Sequence, residues 1–143
     1  MKTTSIKLIM TGTVIILFGW LSMSFVNYQD AKKKKWDVPE ASKKTKNPVK
    51  SDSESLANGK TLYSLHCKSC HGNLGKGDGT KAKKLDTPCG DFTTKEFQAQ
   101  TDGEIFYKVN AGRDDMPTFK KKISDPEDVW SVINYVRTLG ESK

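Results

Sequence analysis

The most informative motif in this chain is Cys67-Lys68-Ser69-Cys70-His71. This Cys-x-x-Cys-His spacing is typical of covalent attachment of a c-type haem. On a helical turn, thiols three positions apart lie on one face, where both can add to the vinyl groups of the haem. The adjacent imidazole then projects toward the iron. The motif therefore predicts one covalent haem c, with thioether bonds from Cys67 and Cys70 and with His71 as an axial ligand.

A Cys-x-x-Cys pair also occurs in zinc sites and in thioredoxin-like redox proteins. A zinc site would need a second pair of ligands at a suitable spacing, yet the chain offers only His66 and Cys89 besides the motif. A thioredoxin-like motif would need a surrounding βαβ pattern, which the sequence lacks, and three cysteines do not suit a disulfide framework. Haem attachment is therefore the preferred interpretation.

Few residues could fill the sixth coordination position of the iron. Beyond residue 26 the chain has one methionine, Met116, and one histidine outside the motif, His66. On a helix that aims His71 at the iron, His66 points elsewhere, because each residue turns the helix by about 100°. Met116 is followed by Pro117, which blocks helix formation and stiffens a loop that could hold a thioether over the iron. We predict Met116 as the second axial ligand, the alternative being a methionine that fills a gap in the core.

The 143 residues divide into three segments of different composition. Residues 1–26 hold an apolar block, residues 27–55 are rich in Lys, Pro and Ser, and residues 56–143 have the mixed pattern of a folded domain. The formal net charge is +7, but the last segment contributes only 14 basic against 12 acidic residues. Because the excess charge lies mainly outside the folded segment, nucleic acid is not expected as a partner.

The apolar block of residues 8–26 is 19 residues long and carries no charge. Its length is close to the ~20 residues that cross a bilayer and exceeds the roughly 7–15 residues of a cleaved signal's apolar core. No Ala-x-Ala cleavage site follows. The sequence favours a membrane anchor over a signal peptide, with the remaining chain on the extracytoplasmic (periplasmic) face. The lysine run 32–35 favours the opposite side under the positive-inside rule, but haem attachment outweighs it.

Residues 27–55 contain two prolines and almost no apolar periodicity, so we expect a flexible linker that cannot fold independently. Trp36 within it could lie at the membrane interface or pack on the domain.

Three main helices are expected in or near residues 56–143. The first begins at a cap on Ser53 or Ser55 and leads into the Cys-x-x-Cys-His motif. The second opens with the capping-box spacing of residues 101–104 and the third at Pro126, with Gly140 following it. Gly59 in the interior of the first helix is costly unless another helix crosses closely there.

Residues 56–143 resemble a class I cytochrome c in LANGKTLYSLHCKSCHG, NLGKGDG, TDGEIFYKVNAGRDDMPTF and DPEDVWSVINYVRTLG. The resemblance implies an all-α domain wrapped around one haem, a role in electron transfer, and contact of Gly59 with the C-terminal helix. It also implies that the carbonyl of Pro88 accepts a hydrogen bond from the iron-binding histidine. Arg113 or Trp130 could contact the haem propionates. Cys89 has no counterpart in the family pattern, and could be a buried residue or form an intermolecular disulfide.

With both axial positions filled, the iron has no open site for a substrate, so an electron carrier is predicted rather than an enzyme. The expected partners are a redox donor and acceptor at the membrane, such as quinol-oxidising complexes and terminal acceptors of a respiratory chain. One alternative is a haem-bearing subunit of a larger dehydrogenase, oxidase or reductase. Another is a haem sensor or peroxidase-like protein in which Met116 leaves the iron. The lysines that could steer an acidic partner are Lys76, Lys81, Lys83, Lys84, Lys120, Lys121 and Lys122.

Overall fold

The computed structural model describes residues 35–141, with side chains through residue 140. The predicted anchor, residues 8–26, lies outside the described residues. The chain divides into two compact units, Met1–Asp37 and Val38–Lys143. The second unit contains every predicted haem-site residue and is described here.

The described residues form α-helices and no β-strand, which confirms the predicted all-α class. None of the helices within residues 35–141 is both long and apolar enough to span a bilayer. In chain order the helices are α1 (Glu40–Lys43), α2 (Ser53–His66), α3 (Lys68–His71), a 3₁₀ turn (Ala82–Lys84), α4 (Lys95–Gln98), α5 (Asp102–Ala111) and α6 (Pro126–Glu141).

Helices α2 and α5 both begin with a capping box. At α5 the side chains of Thr101 and Glu104 cap each other's backbone N–H groups, as the sequence predicts. At α2 the cap is Asp52, which precedes both serines expected to cap this helix. Its carboxylate accepts from the Ser55 N–H at 3.0 Å, and the Ser55 hydroxyl accepts from the Asp52 N–H at 3.2 Å. Ser55 therefore serves as the partner in the box, which leaves Asp52 to cap the helix.

Helices α2 and α6 cross at Gly59. A Cβ added to Gly59 would lie 2.0 Å from the Ser131 carbonyl oxygen, so only glycine permits this approach. One turn later the buried Tyr63 ring lies 5.2 Å from that of Tyr135, centroid to centroid. The Tyr63 hydroxyl also donates to the Gly72 carbonyl at 2.8 Å. The predicted contact between the first and last helices is confirmed.

The core sits between α2, α5 and α6, and α6 supplies most of it. The apolar side chains of α6 are buried, and the helix continues through Gly140 to Glu141, beyond the end predicted at Gly140. Gly140 lies against Gln98, where an added Cβ would be 2.6 Å from Cγ, so this glycine serves packing and does not end the helix. The core side chains are Tyr63, Ile105, Val109, Phe119, Ile123, Val129, Trp130, Val132, Ile133, Val136 and Leu139.

Residues 38–52, expected as part of a flexible linker, instead form a strap on the domain. Val38 is buried, and α1 within the strap packs on α5 at Gly103, where an added Cβ would lie 2.0 Å from the Ser42 carbonyl oxygen. The Asn134 side chain on α6 donates to the carbonyl of Val49 at 3.2 Å. Part of this attachment runs through the backbone of the strap, which apolar periodicity cannot reveal. The compact unit that contains the predicted haem site therefore begins at Val38, whereas the sequence predicts a domain from residue 56.

Candidate haem-attachment site

The attachment turn lies at the junction between α2 and α3. The Cys67 carbonyl accepts from the N–H groups of Cys70 at 3.1 Å and His71 at 2.9 Å, which winds residues 67–71 into one turn. Both thiols are free and partly buried. Burial raises the pKa of Cys67 to about 12, and the nearby Cys70 adds to the shift. The turn therefore presents two neighbouring thiols followed directly by an imidazole, the arrangement that thioether attachment of haem requires.

The glycine-rich loop Gly72–Gly79 folds back onto this turn. The Gly79 N–H donates to the Cys70 carbonyl at 3.1 Å, and the Lys81 N–H donates to that of Ser69 at 2.8 Å. A Cβ on Gly79 would lie 2.4 Å from the Ser69 carbonyl oxygen. The loop thus supplies backbone donors for carbonyls that α3, with its single turn, leaves unpaired.

The imidazole of His71 is in the protonation state that binds a metal. Burial lowers the pKa of His71 to about 4, and the backbone of Cys89 opposes the shift only in part. The ring is therefore neutral at pH 7, the form that coordinates iron. It stacks on Phe92, with centroids 4.4 Å apart and planes 27° apart. No sequence motif singled out Phe92, whose position depends on how its loop folds.

The other feature of His71 is a buried nitrogen. Its Nδ1 atom makes no hydrogen bond of ordinary geometry. A buried polar atom without a partner is costly, so this atom marks a site that haem binding would reorganise. The family resemblance implies the Pro88 carbonyl as its acceptor, and this role stays a prediction. The backbone that influences the pKa of the ring is that of Cys89, one residue further on. The free thiols, neutral ring and unmatched nitrogen fit covalent haem.

Met116 lies in a tight turn that follows α5. Arg113 and Met116 exchange backbone hydrogen bonds of 2.8 and 2.9 Å, and Asp114 between them has a positive φ of 51°. Gly112, with φ of +67°, faces the Thr118 backbone, where an added Cβ would lie 2.5 Å from the nitrogen. The Met116 side chain is partly buried against the core. This confirms the predicted loop, while iron ligation by Met116 stays a prediction.

The structure brings the loop of residues 85–91 beside both the methionine turn and the attachment turn. The Thr87 N–H donates to the Asp115 carboxylate at 2.8 Å. Burial raises the pKa of the Cys89 thiol, with further contributions from Cys70 and Asp115 nearby. Sequence reasoning missed the contact between Thr87 and Asp115, because nothing in the local pattern links positions 28 residues apart.

The two predicted propionate contacts lie in different surroundings. Trp130 is only 4% exposed, and its ring stacks on Phe106 with centroids 4.1 Å apart. Arg113 is partly buried next to the methionine turn, with Nε 3.2 Å from the Asp114 carboxylate. Trp130 therefore has a packing role in the core, and contact of either residue with a propionate stays a prediction.

A small all-α domain with an attachment turn, a neutral buried imidazole and a rigid methionine turn is a domain built to carry covalent haem. Residues 56–140 match the Cytochrome c family, and the chain belongs to this family. These residues therefore form a c-type cytochrome domain, the kind of domain that carries covalently bound haem for electron transfer.

The chain is also similar to a solved structure. The similar chain comes from the Kuenenia stuttgartiensis reducing HAO-like protein complex Kustc0457/Kustc0458, with a TM-score of 0.59 and 25% sequence identity. The likeness covers 82% of this chain and 56% of that chain, so this protein spans little more than half the length of its counterpart. No curated protein sequence matches the chain.

Proposed function

We propose that this protein is a one-electron carrier in which Cys67 and Cys70 hold one haem c through thioethers, and His71 and Met116 are its axial ligands. The observation that carries the proposal is the buried, neutral His71 ring directly after two neighbouring free thiols. When bound, the haem supplies exchange of one electron between Fe(II) and Fe(III).

The protein residues have separate tasks in this scheme. His71 keeps a free lone pair above about pH 4, and the stacked Phe92 restricts the orientation of its ring. The backbone pairing of Arg113 with Met116 holds the methionine turn in one conformation. A thioether ligand raises the reduction potential above that of bis-imidazole ligation. Occupation of both axial positions leaves no site for a substrate, which favours a carrier over an enzyme.

We also propose that residues 8–26 anchor the domain on the extracytoplasmic side of a membrane. The support is 19 consecutive uncharged residues of bilayer-spanning length. The compact unit with the haem site begins at Val38, so residues 27–37 lie between the apolar block and this unit in the sequence. Fully extended, this segment spans at most about 40 Å. A retained anchor would therefore keep the haem close to the membrane surface and to membrane-associated redox partners.

Two kinds of partner fit this arrangement. The first is a separate pair of donor and acceptor proteins in a respiratory chain, docked through exposed lysines of the domain; Lys76, Lys83 and Lys122 are among them. The second is a larger redox enzyme in which this chain is the haem-bearing subunit. The similar Kuenenia stuttgartiensis chain belongs to a protein complex by name, which favours keeping this second candidate.

Visible spectroscopy of the purified full chain tests the ligation. We expect a low-spin oxidised spectrum with the weak methionine–iron charge-transfer band, and loss of that band in Met116→Ala. His66→Ala is the matched control and should keep it. A high-spin spectrum of the wild-type protein as isolated would overturn the proposal. The native mass of the protein in mild detergent separates a free carrier from a subunit of a stable complex.

A further inference from the structure

One hydrogen bond joins the two segments that carry or support the proposed axial ligands. The Thr87 N–H donates to Oδ2 of Asp115 at 2.8 Å. Asp115 directly precedes Met116, and Thr87 lies two residues before Cys89, whose backbone influences the His71 ring. The bond therefore connects the methionine turn to the loop on the histidine side.

The loop of residues 85–91 is itself fixed to the attachment side. The Phe92 N–H donates to the Gly75 carbonyl at 2.7 Å. A Cβ on Gly77 would lie 2.5 Å from the Gly90 carbonyl oxygen, so the two backbones are in direct contact. Whatever is bonded to Thr87 is thereby held in a set position relative to the attachment turn.

The other bonds of the methionine turn run to its own helix. The Thr118 hydroxyl donates to the Asn110 carbonyl at 2.5 Å, and the Phe119 N–H donates to that of Val109 at 3.1 Å. These contacts fix the turn to α5, which bears no haem ligand. The Asp115 contact differs because it joins the turn that follows α5 to the loop of residues 85–91, which packs on the segment after the attachment turn.

We infer that Asp115 is a positioning residue: by accepting the Thr87 N–H, it holds the methionine turn against loop 85–91 and keeps the Met116 thioether on the iron. This inference rests on the proposed ligation by His71 and Met116. Asp115 does not touch the iron; it acts through the backbone of the residue that does. A carboxylate suits the task because hydrogen bonds to a charged acceptor are stronger than neutral ones.

The test compares Asp115→Ala, Asp115→Asn and the control Asp86→Asn in the holoprotein. Asn keeps an acceptor for Thr87, whereas Ala removes it. Asp86 is an exposed carboxylate next to Thr87, so its replacement changes charge in the same region but leaves the bond. Two quantities are measured: the affinity of the oxidised protein for imidazole, which competes with Met116, and the hydrogen-exchange rate of the Thr87 amide.

We expect Asp115→Ala to bind imidazole about fivefold more tightly, the factor that corresponds to one net hydrogen bond. The Thr87 amide should exchange faster by a similar factor. The imidazole affinity of Asp115→Asn should stay within about twofold of that of wild type. The imidazole affinity of Asp86→Asn should equal that of wild type. Rescue by Asn distinguishes positioning from a simple loss of charge.

If wild type shows the methionine–iron band, two results would overturn this inference but not the ligation proposal. One is equal imidazole affinity in wild type and Asp115→Ala. The other is an increase in imidazole affinity in Asp86→Asn as large as that in Asp115→Ala. Unchanged Thr87 exchange in Asp115→Ala would overturn it as well, because the bond would then not exist in solution. Absence of the band from wild type is a different failure, since it overturns the ligation proposal on which the inference depends.

Discussion

The backbone of Gly59 lies directly against the carbonyl of Ser131, with no space for a side chain between helices α2 and α6. An added Cβ would sit 2.0 Å from the carbonyl oxygen, and 2.5 Å from its carbon. Both obstacles are backbone atoms of a helix, so they cannot rotate away as a side chain would. Because α2 leads into the attachment turn, this crossing sets where the two thiols lie relative to the core.

Gly59→Ala should therefore lower the free energy of unfolding. Overpacking typically costs about 1–3 kcal/mol, against about 1 kcal/mol gained from the higher helix propensity of alanine. We expect a net loss of about 1 kcal/mol in denaturant titrations of the holoprotein, because the helices must move apart. Lys60→Ala, on the exposed side of the same helix, is the control and should be near neutral. Equal stability of Gly59→Ala and wild type would contradict the close crossing.

Tyr63 should make stability depend on pH in the alkaline range. Burial raises its pKa well above the ordinary value of 10, with smaller contributions from Cys67, Tyr135 and Asp78. The folded state therefore favours the protonated phenol, so its contribution is complete below pH 10 and is lost as the pH rises above 10. Tyr63→Phe should cost about 1 kcal/mol at pH 8 through the lost bond to Gly72, and this difference should shrink between pH 10 and 11.

Denaturant titrations of both proteins at pH 8, 10 and 11 measure this difference directly. The comparison cancels the titration of the many lysines that both proteins share. Tyr107→Phe, at a position that is not fully buried, is the control. If the difference in free energy of unfolding between wild type and Tyr63→Phe stays constant to pH 11, Tyr63 is not a buried, protonated phenol.

The strap of residues 38–52 should resist proteolysis. Asn134 donates to the carbonyls of Val49 at 3.2 Å and Lys50 at 3.3 Å, and its side-chain oxygen accepts from Asn47 at 2.8 Å. We expect trypsin to cut wild-type protein slowly between residues 43 and 50. Asn134→Ala should accelerate this cleavage, because it removes the partners of the strap and leaves buried polar groups unsatisfied.

Asn58→Ala is the control for the strap, since its exposed hydrogen bond to Asp128 lies elsewhere. Rapid cleavage at residues 43–50 in the wild-type protein would contradict the packed strap and support the flexible linker predicted from composition. Cleavage sites are identified by mass measurement of the fragments.

Arg137 joins α6 to the end of α4, the start of α5 and the residues between them. Its guanidinium donates to the Asp102 carboxylate at 2.7 Å and to the backbone carbonyls of Gln98 at 2.9 Å and Gln100 at 2.6 Å. Arg137→Ala should lower the free energy of unfolding by about 2 kcal/mol, because three acceptors lose a charged donor. Arg137→Lys should recover less than half of this, since an ammonium group cannot reproduce the planar fork. Full recovery by lysine would show that charge alone matters.

Covalent attachment should depend on Cys67 and Cys70 and be independent of Cys89. The double variant Cys67→Ala/Cys70→Ala should lack covalent haem in mass measurement of the intact chain, because no thioether can form. Cys89→Ser is the matched control, since its thiol is also free and partly buried, and it should retain the haem mass. Haem mass in the double variant would refute attachment through this motif. The same measurement on protein from native membranes reports whether residues 1–26 are retained.

The helices and the attachment motif could be predicted because their causes are local. The capping box of Thr101 and Glu104 requires only three-residue spacing, and Cys67, Cys70 and His71 are carried on one turn. The strap could not be predicted, because polar residues and prolines usually indicate a linker. Its order comes from hydrogen bonds to Asn134, more than 80 residues away in sequence.

The haem-attachment motif and the positions of the main helices could be read from the amino-acid sequence, because motif spacing and 3.6-residue periodicity depend on near neighbours. The all-α class followed from the resemblance to class I cytochromes c. What each loop faces depends on the tertiary structure. It placed Thr87 against Asp115, Phe92 on the ring of His71 and the strap on α5 and α6. Such contacts join distant parts of the chain through single hydrogen bonds and close backbone approaches, which leave no periodic pattern in the sequence.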